Sequence, residues 1–270
     1  MSEASPLWEL NLDDPRAPPQ EVWDRMTPEQ RAEVVATLPS EFPPTEANPP
    51  EGDLHYEAYT KARETLSRWF RERGKGVYVS GNLPVYYPGQ RMFSPDVIAV
   101  LDVDPHPRDS WIVSREGRGL DFAVEVIVSG RRRKDLKDNV ERYAALRIQE
   151  YFVFDRSRLT LHAFRLGQGA SYERVVPQGG RYASHVLGLD LSVEGGHLRF
   201  STGDAQLLDA GELLVKLTAL VDDASQRATA LEEALEEEQR RREEEQQRRE
   251  AAEAERDALR AELERLSRER

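Results

Sequence analysis

The chain of 270 residues contains no cysteine, which excludes disulfides, zinc–thiolate sites and cysteine nucleophiles. No apolar run reaches about 18 residues, so the sequence predicts no membrane span. Met1 to Asp14 are polar and acidic, without the basic-then-apolar pattern of a secretory signal, which favours a cytoplasmic location. The chain also contains fewer basic than acidic residues. The net charge of −12 argues against broad, sequence-independent nucleic-acid binding, although a local basic groove stays open.

The composition changes along the chain and divides it into three predicted regions. Ten of the sixteen prolines fall in the first 50 residues, so residues 1–50 are predicted as an arm with one short helix starting at Thr27-Pro28 and a linker at Pro39–Pro50. Residues 51–221 show regular helix and strand patterns and are predicted as the folded domain. Residues 222–270, nearly all Glu, Arg, Ala and Gln, are predicted as a charged helical tail.

The middle region has the element order of an α/β fold. Helical spacing of apolar residues predicts a helix from about His55 to Gly74, a second at about Asp135–Arg147 and a third near Ala210–Leu220. The stretch from 104 to 119 is predicted as a polar connection. Strands are predicted at 77–80, 83–87, 97–103, 122–128, 151–154 and 159–164. This order predicts a mixed central sheet flanked by helices.

The tail has a heptad pattern at its two ends but not in its middle. With Leu231 at d and Leu235 at a, the later core positions are Glu238, Arg242, Glu245, Arg249, Ala252, Arg256, Leu259, Leu263 and Leu266. Glu and Arg also recur four residues apart, and each such pair stabilises a single helix by roughly 0.2–0.5 kcal/mol. The pattern allows two structures for the tail: a solvated single helix, or a coiled coil that forms a homodimer or binds a partner protein.

Two acidic residues interrupt otherwise apolar strands. Asp96 follows Pro95 at the start of the segment 97–101, and Glu125 lies 29 residues later within the segment 122–128. A buried carboxylate is costly unless another group compensates its charge. Two of them on neighbouring strands predict a shared divalent cation, Mg²⁺ or Mn²⁺, since these ions prefer oxygen ligands.

Further residues around this pair form an ordered set. Pro95-Asp96 and Val124-Glu125-Val126-Ile127 are followed by Asp135, a helix ending near Tyr143, the strand Glu150-Tyr151-Phe152-Val153-Phe154-Asp155, and a closing strand from Val186 to Leu191. From about His55 to Leu191, this set resembles the bacterial Uma-two (Uma2) family of proposed endonucleases. That family belongs to the PD-(D/E)XK phosphodiesterase superfamily.

The resemblance implies a nuclease-like fold that hydrolyses DNA phosphodiester bonds, with Asp96 and Glu125 as Mg²⁺ ligands. The implied metal stabilises charge in the transition state and lowers the pKa of the attacking water. A lysine two residues after the glutamate is typical of the superfamily, but this chain has Ile127 there. The Uma-two pattern has its lysine four residues before the tyrosine, where this chain has Asn139. An amide brings no charge, so impaired or absent catalysis is one expectation.

The predicted helix places Asn139 where that lysine would lie. At 100° per residue from Leu136, Asn139 lies at 300°, inside the apolar arc that faces the sheet, whereas Lys137 lies at 100°. Lys134 precedes the predicted helix, and it or an arginine of Arg131-Arg132-Arg133 can swing toward the site. The candidate catalytic residues are therefore Asp96, Glu125, Asn139 and Lys134.

Each candidate also has a structural interpretation: a strand-start cap for Asp96, an ion pair for Glu125, a backbone partner for Asn139 and a core position for Tyr143. The basic cluster 131–134 is either solvated loop charge or a contact for DNA phosphates. Three hypotheses stay open. They are a metal-dependent endonuclease acting on DNA, a catalytically silent nuclease-like module that binds or assembles through its tail, and an unrelated α/β protein with structural carboxylates.

Overall fold

The computed structural model of the protein describes residues 7–41, 52–129 and 132–268. The chain divides into two compact units that meet in sequence at Ala210 and Gly211. Arg131 and most of the predicted linker Pro39–Pro50 lie outside the described residues. The boundaries predicted after residues 50 and 221 stay predictions.

The first unit alternates helices and strands. In chain order, the described elements up to the sheet's crossover are α1 (Gln20–Arg25), α2 (Pro28–Thr37), α3 (Asp53–Glu72), β1 (Val77–Ser80), β2 (Val85–Tyr86), β3 (Val97–Leu101), β4 (Trp111–Ile112), α4 (Val113–Glu116) and β5 (Phe122–Ile127). They continue as a π-helical turn (Lys134–Asp138), α5 (Asn139–Ala145), β6 (Glu150–Asp155), β7 (Thr160–Leu166), β8 (Tyr172–Arg174), β9 (Tyr182–Ser184), β10 (Leu189–Glu194), β11 (His197–Thr202) and β12 (Ala205–Gln206).

A six-stranded mixed sheet has the order β1-β3-β5-β6-β7-β8. Strands β5 and β6 run parallel and are joined by the crossover helix α5, while the other neighbours in this sheet run antiparallel. Strands β12-β11-β10-β9 form a second sheet, and β2 pairs with β4. The predicted α/β class with a mixed central sheet is confirmed.

Several predicted bounds change in the structure. The segment 83–87 contributes only the two-residue strand β2. The connection from 104 to 119 is not simply polar, since it holds β4 and α4, whose few residues are too short to show a periodicity. The helix predicted from Asp135 to Arg147 is instead a π-helical turn followed by α5, and Lys134 therefore lies within the helical segment rather than before it.

The two faces of the central sheet are covered by different helices. On one face, Ala62, Leu66 and Phe70 of α3 pack against a layer that contains Phe122 and Val124. The opposite face packs against α5, and its layer contains Ile98, Val100, Ala123, Ile127, Tyr143 and Val153. Because successive strand residues point to opposite faces, Glu125 belongs to the face that α5 covers.

The described part of the N-terminal arm is largely helical and packs on the domain. The short helix predicted to start at Thr27-Pro28 is α2, and Thr27 and Gln30 form a reciprocal capping box at its start. Val34 and Leu38 are buried, with Trp23 of the unpredicted helix α1, in a cluster that includes Ile112. The arm is thus held by its own apolar contacts.

The described part of the second unit is helical and belongs to α6, a helix of 59 residues that begins at Ala210, the last residue of the first unit, and ends at Arg268. The predicted third helix forms its beginning, and α6 continues without a break past residue 221. Ion pairs four residues apart join Glu238 to Arg242 at 3.0 Å and Glu245 to Arg249 at 2.6 Å, as the spacing predicts. Among the described helices, none combines the length and the apolar character needed to cross a membrane.

Candidate active site

Strand register brings Asp96 and Glu125 together. Strand β3 runs antiparallel to β5, with Val97 opposite Val124. Continuing this register by one residue sets Asp96 opposite Glu125, and the Cβ atoms of such a pair lie about 4.5–5.5 Å apart. Both side chains are buried, each with 4% of its surface exposed. The backbone N–H of Val126 donates to Oδ2 of Asp96 at 2.6 Å, which ties the two strands together at this point.

Asp96 is held from a second direction by helix α3. The Nε2 atom of His55 lies 3.0 Å from the same oxygen, Oδ2, and His55 is itself buried. Among the described residues, no hydrogen bond reaches the other oxygen, Oδ1. Two protein groups therefore hold one oxygen of Asp96, whereas the described residues give the other oxygen no hydrogen bond.

Glu125 is held by two residues of α5. The hydroxyl of Tyr143 donates to Oε1 at 2.7 Å, and the amide of Asn139 donates to the same oxygen at 3.3 Å. As in Asp96, the second oxygen, Oε2, accepts no hydrogen bond from the described residues. Asn139 is 5% exposed and faces the sheet, as the helical geometry predicts.

The charge of this region is unfavourable for Glu125. Burial raises the pKa of Glu125 well above its usual range, and the nearby charge of Asp96 raises it further. The charge of Lys134 and the Tyr143 hydrogen bond lower it, but less than burial raises it. Two buried carboxylates that repel each other are the arrangement that a bound cation would relieve.

Asp135 is a third carboxylate at this site, and sequence reasoning did not include it among the candidates. Its Oδ1 accepts a 3.1 Å hydrogen bond from the amide of Asn139, one helical turn away. Burial raises the pKa of Asp135 to about 6, and the charge of Asp96 contributes to that rise. Its spacing of four residues before Asn139, on the same helical face, was the available signal.

Lys134 reaches the site through Asp135. Its Nζ lies 3.8 Å from Oδ1 of Asp135, and the side chain is 58% exposed. Its charge lowers the pKa of both Asp135 and Glu125. In the neighbouring cluster, Arg132 is bound to the fully buried Asp155 at the end of β6, so it does not point into the site. Arg133 is exposed, with 79% of its side chain accessible.

The donor set suits a hard divalent cation. Within the described ranges, no group of three or more His, Asp or Glu side chains is arranged to hold a metal ion. Mg²⁺ does not require such a group, because it commonly binds one or two carboxylates and keeps several waters or substrate oxygens. Oδ1 of Asp96 and Oε2 of Glu125 provide two such oxygens, so the residues fit the ion.

These features define a mixed α/β protein with a carboxylate site between its central sheet and the crossover helix. A protein-family model for Uma2, described as "Putative restriction endonuclease", matches residues 45–194, more than half of the chain. The chain belongs to the Uma2 family.

Comparison with individual proteins adds one solved structure. The chain is similar to a crystal structure described as a "putative nuclease" from Anabaena variabilis ATCC 29413. The TM-score is 0.41 and the sequence identity 12%, over 54% of this chain and 86% of the other. No curated protein matches the chain.

Proposed function

We propose that this protein is a divalent-metal-dependent endonuclease that hydrolyses phosphodiester bonds in DNA. The observation that carries the proposal is the cross-strand pair of Asp96 and Glu125, buried on one sheet face with one oxygen of each unused by the described residues. Membership of the Uma2 family supports the same conclusion. The order of β3, β5, α5 and β6 around the pair agrees with the nuclease-like fold that the sequence resemblance implies.

The residues around the pair have positioning roles. Asp96 and Glu125 would hold Mg²⁺ or Mn²⁺, which would supply neutralising charge at the phosphate and a more acidic water. His55 and the N–H of Val126 fix the rotamer of Asp96. Tyr143 and Asn139 do the same for Glu125. Such partners around ligating residues often determine metal affinity.

Positive charge at the site comes from the helical segment after β5. Asn139 occupies the position expected for a lysine and contributes only a neutral amide donor. Lys134, bound to Asp135 and largely exposed, supplies the positive charge toward a DNA phosphate. The exposed Arg133 adds to this edge. With a net charge of −12, the whole protein repels DNA, so binding depends on this local edge or on a partner protein.

Nicking of supercoiled plasmid tests the proposed activity. With Mg²⁺ or Mn²⁺ we expect the wild type to convert supercoiled into open-circular DNA, and EDTA to stop it. Glu125→Gln keeps the size of the side chain but removes the charge, and is expected to abolish nicking. Glu141→Gln, an exposed residue of α5, is the matched control and should retain it. Nicking by Glu125→Gln at the wild-type rate would disprove the role of the pair.

A second candidate function rests on Asn139. Because this buried position carries no charge, the same geometry suits a catalytically silent module that keeps the nuclease architecture and acts by binding or assembly. Metal binding without plasmid nicking in the wild type would favour this alternative over the enzyme.

A further inference from the structure

Helix α6 has an apolar stripe along its first half and another near its end. Continuing the heptads from Leu231 and Leu235 toward the N-terminus places Leu214, Leu217, Val221, Ala224 and Ala228 on the same seam. These side chains are all exposed; for example, Leu214 is 65% and Leu231 72% accessible. Near the end, Leu259 and Leu263 are 57% and 67% accessible. Exposed leucines repeated at heptad spacing are typical of an interface rather than of a solvated helix.

We propose that the part of this seam from Ala224 to Leu263 is covered by a second copy of the chain, with the two α6 helices antiparallel. The alignment is centred between Glu243 and Glu244, so that each a position of one helix meets a d position of the other. It matches the two halves of the seam in the following layers: Arg242 with Glu245, Glu238 with Arg249, Leu235 with Ala252, Leu231 with Arg256, Ala228 with Leu259, and Ala224 with Leu263.

The matched layers are complementary in charge and in size. The four central seam residues are charged and interrupt the apolar pattern of a single helix. In the antiparallel pair, each of them faces a residue of opposite charge in the other copy. Away from the centre, Leu235, Leu259 and Leu263 each meet an alanine, and large residues facing small ones pack well across helices. Arg256 can lay its aliphatic stem over Leu231 while its charged end reaches solvent. The match extends over 40 residues, from Ala224 to Leu263, and seven of its twelve seam positions are apolar.

A parallel pair of the same helices is less favourable. In that alignment each seam residue meets its own copy, so like charges face each other in five layers, at Glu238, Arg242, Glu245, Arg249 and Arg256. The positions beside the seam, e and g of the heptad, instead favour the parallel pair, in which three contacts join opposite charges: Arg227–Glu232, Arg248–Glu253 and Glu255–Arg260.

In the antiparallel pair, two of these flanking contacts join like charges, Glu232–Glu253 and Arg241–Arg248. Flanking charges are solvated and screened, whereas seam charges are desolvated, so the seam decides.

The intrahelical ion pairs fit into this arrangement. Arg242 already bonds to Glu238, and Arg249 to Glu245, along a single helix. Bringing a second helix antiparallel adds an opposite charge beside each of these four side chains, so the pairs become one alternating network. The self-complementarity of the seam favours a second copy over an unrelated partner, because an isologous contact needs one surface only.

The absence of cysteine makes cross-linking a clean test. The double variant Leu235→Cys/Ala252→Cys places thiols in one antiparallel layer, while residues 17 positions apart on one helix, about 25 Å, cannot join within a chain. We expect a disulfide-linked dimer of the double variant on mild oxidation, no link in either single variant, and a dimer mass for the wild type in sedimentation. Efficient linkage of either single variant would show a parallel pair, and a monomer throughout the micromolar range would show a solvated helix. Both results overturn the proposal.

Charge reversal tests the central layers without altering the apolar seam. Arg242→Glu and Glu245→Arg each set like charges opposite each other, and each is expected to raise the dimer dissociation constant at least tenfold. The double reversal Arg242→Glu/Glu245→Arg restores opposite charges between the two copies but leaves like charges four residues apart within each helix, at 238 and 242 and at 245 and 249. It should therefore recover much, though not all, of the affinity that the single variants lose. A double variant that dimerises no better than either single variant would contradict the antiparallel register. Circular dichroism of each variant confirms that α6 stays helical, and metal binding at Asp96 and Glu125 should be unaffected.

Discussion

The hydroxyl of Tyr143 donates a 2.7 Å hydrogen bond to Oε1 of Glu125 within the protein core. Both residues are buried, and the ring of Tyr143 makes an edge-to-face contact with the ring of Tyr151. The tyrosine therefore has the core position that its sequence pattern predicts, and its polar end also holds the buried carboxylate. The orientation of Glu125 thus depends directly on the packing of α5 against the sheet.

Tyr143→Phe removes this hydrogen bond and keeps the ring. The bond lowers the pKa of Glu125, so its loss is expected to raise that pKa further. Because a carboxylate must be deprotonated to hold a cation, the pH midpoint of Mn²⁺ binding should shift upward by about one unit. Calorimetric titration of Mn²⁺ at a series of pH values, with both proteins measured at each pH, gives the shift. Tyr56→Phe, at an exposed tyrosine, is the control; an unchanged midpoint in Tyr143→Phe would contradict the role.

Asn139→Lys restores a positive charge where the family pattern has one. The ammonium group would lie near Glu125 and Asp135, lower the pKa of both, and neutralise a bound phosphate. We expect plasmid nicking to increase about tenfold or more, whereas Glu141→Lys on the exposed face of α5 should not change it. Activity that appears only in Asn139→Lys would identify the natural protein as a silent module. Equal activity in both proteins would show that Asn139 is not a deficient position.

Asp135→Asn is expected to stabilise the metal-free protein at neutral and higher pH. The pKa of Asp135 is about 6 in the folded protein, against an ordinary value of 3.8, so folding is penalised once the group is charged. This cost is absent below pH 4, grows between pH 4 and 6, and is complete above, on the order of 2–3 kcal/mol. Asparagine keeps the acceptor for Asn139 without the charge. Chemical denaturation at pH 4 and pH 8 should therefore show a gain only at pH 8. An equal gain at both values would contradict the assignment.

His55→Leu removes the side-chain partner of Asp96 and leaves Val126 alone on Oδ2. Loss of a residue that orients a metal ligand typically weakens metal binding by about 10- to 100-fold. We therefore expect the Mn²⁺ dissociation constant to rise by that factor while the protein stays folded. His106→Leu, at an exposed histidine, should bind metal as the wild type does. Wild-type affinity in His55→Leu would show that Val126 alone suffices.

The sequence predicted much of the fold because its central strands are long enough to show their pattern. The apolar runs around Ile98 and Val124 gave β3 and β5, and the helical spacing of α3 was equally clear. The sequence predicts β3 and β5 as neighbours because Asp96 and Glu125 are candidate ligands of one cation, and the structure pairs these two strands. Strands of two residues, such as β2 and β4, have no period and could not be predicted.

The parts of the site that were missed depend on local backbone geometry. The sequence predicts a regular α-helix from Asp135, but residues 134–138 form a π-helical turn, which places Lys134 within the helical segment. Asp135 contacts Asn139 as its spacing of four residues allows. Nothing in the residue types of this segment distinguishes a π from an α turn. The helical angle of Asn139 was nevertheless correct, because α5 itself is regular from Asn139 onward.

The cation site itself is measured by calorimetric titration of Mn²⁺ into the wild type, Glu125→Gln and Glu141→Gln at pH 8. We expect a saturable heat for the wild type and for Glu141→Gln, and a dissociation constant at least 100-fold higher for Glu125→Gln. No metal-dependent heat in the wild type, or the same affinity in all three proteins, would contradict a cation site formed by Asp96 and Glu125.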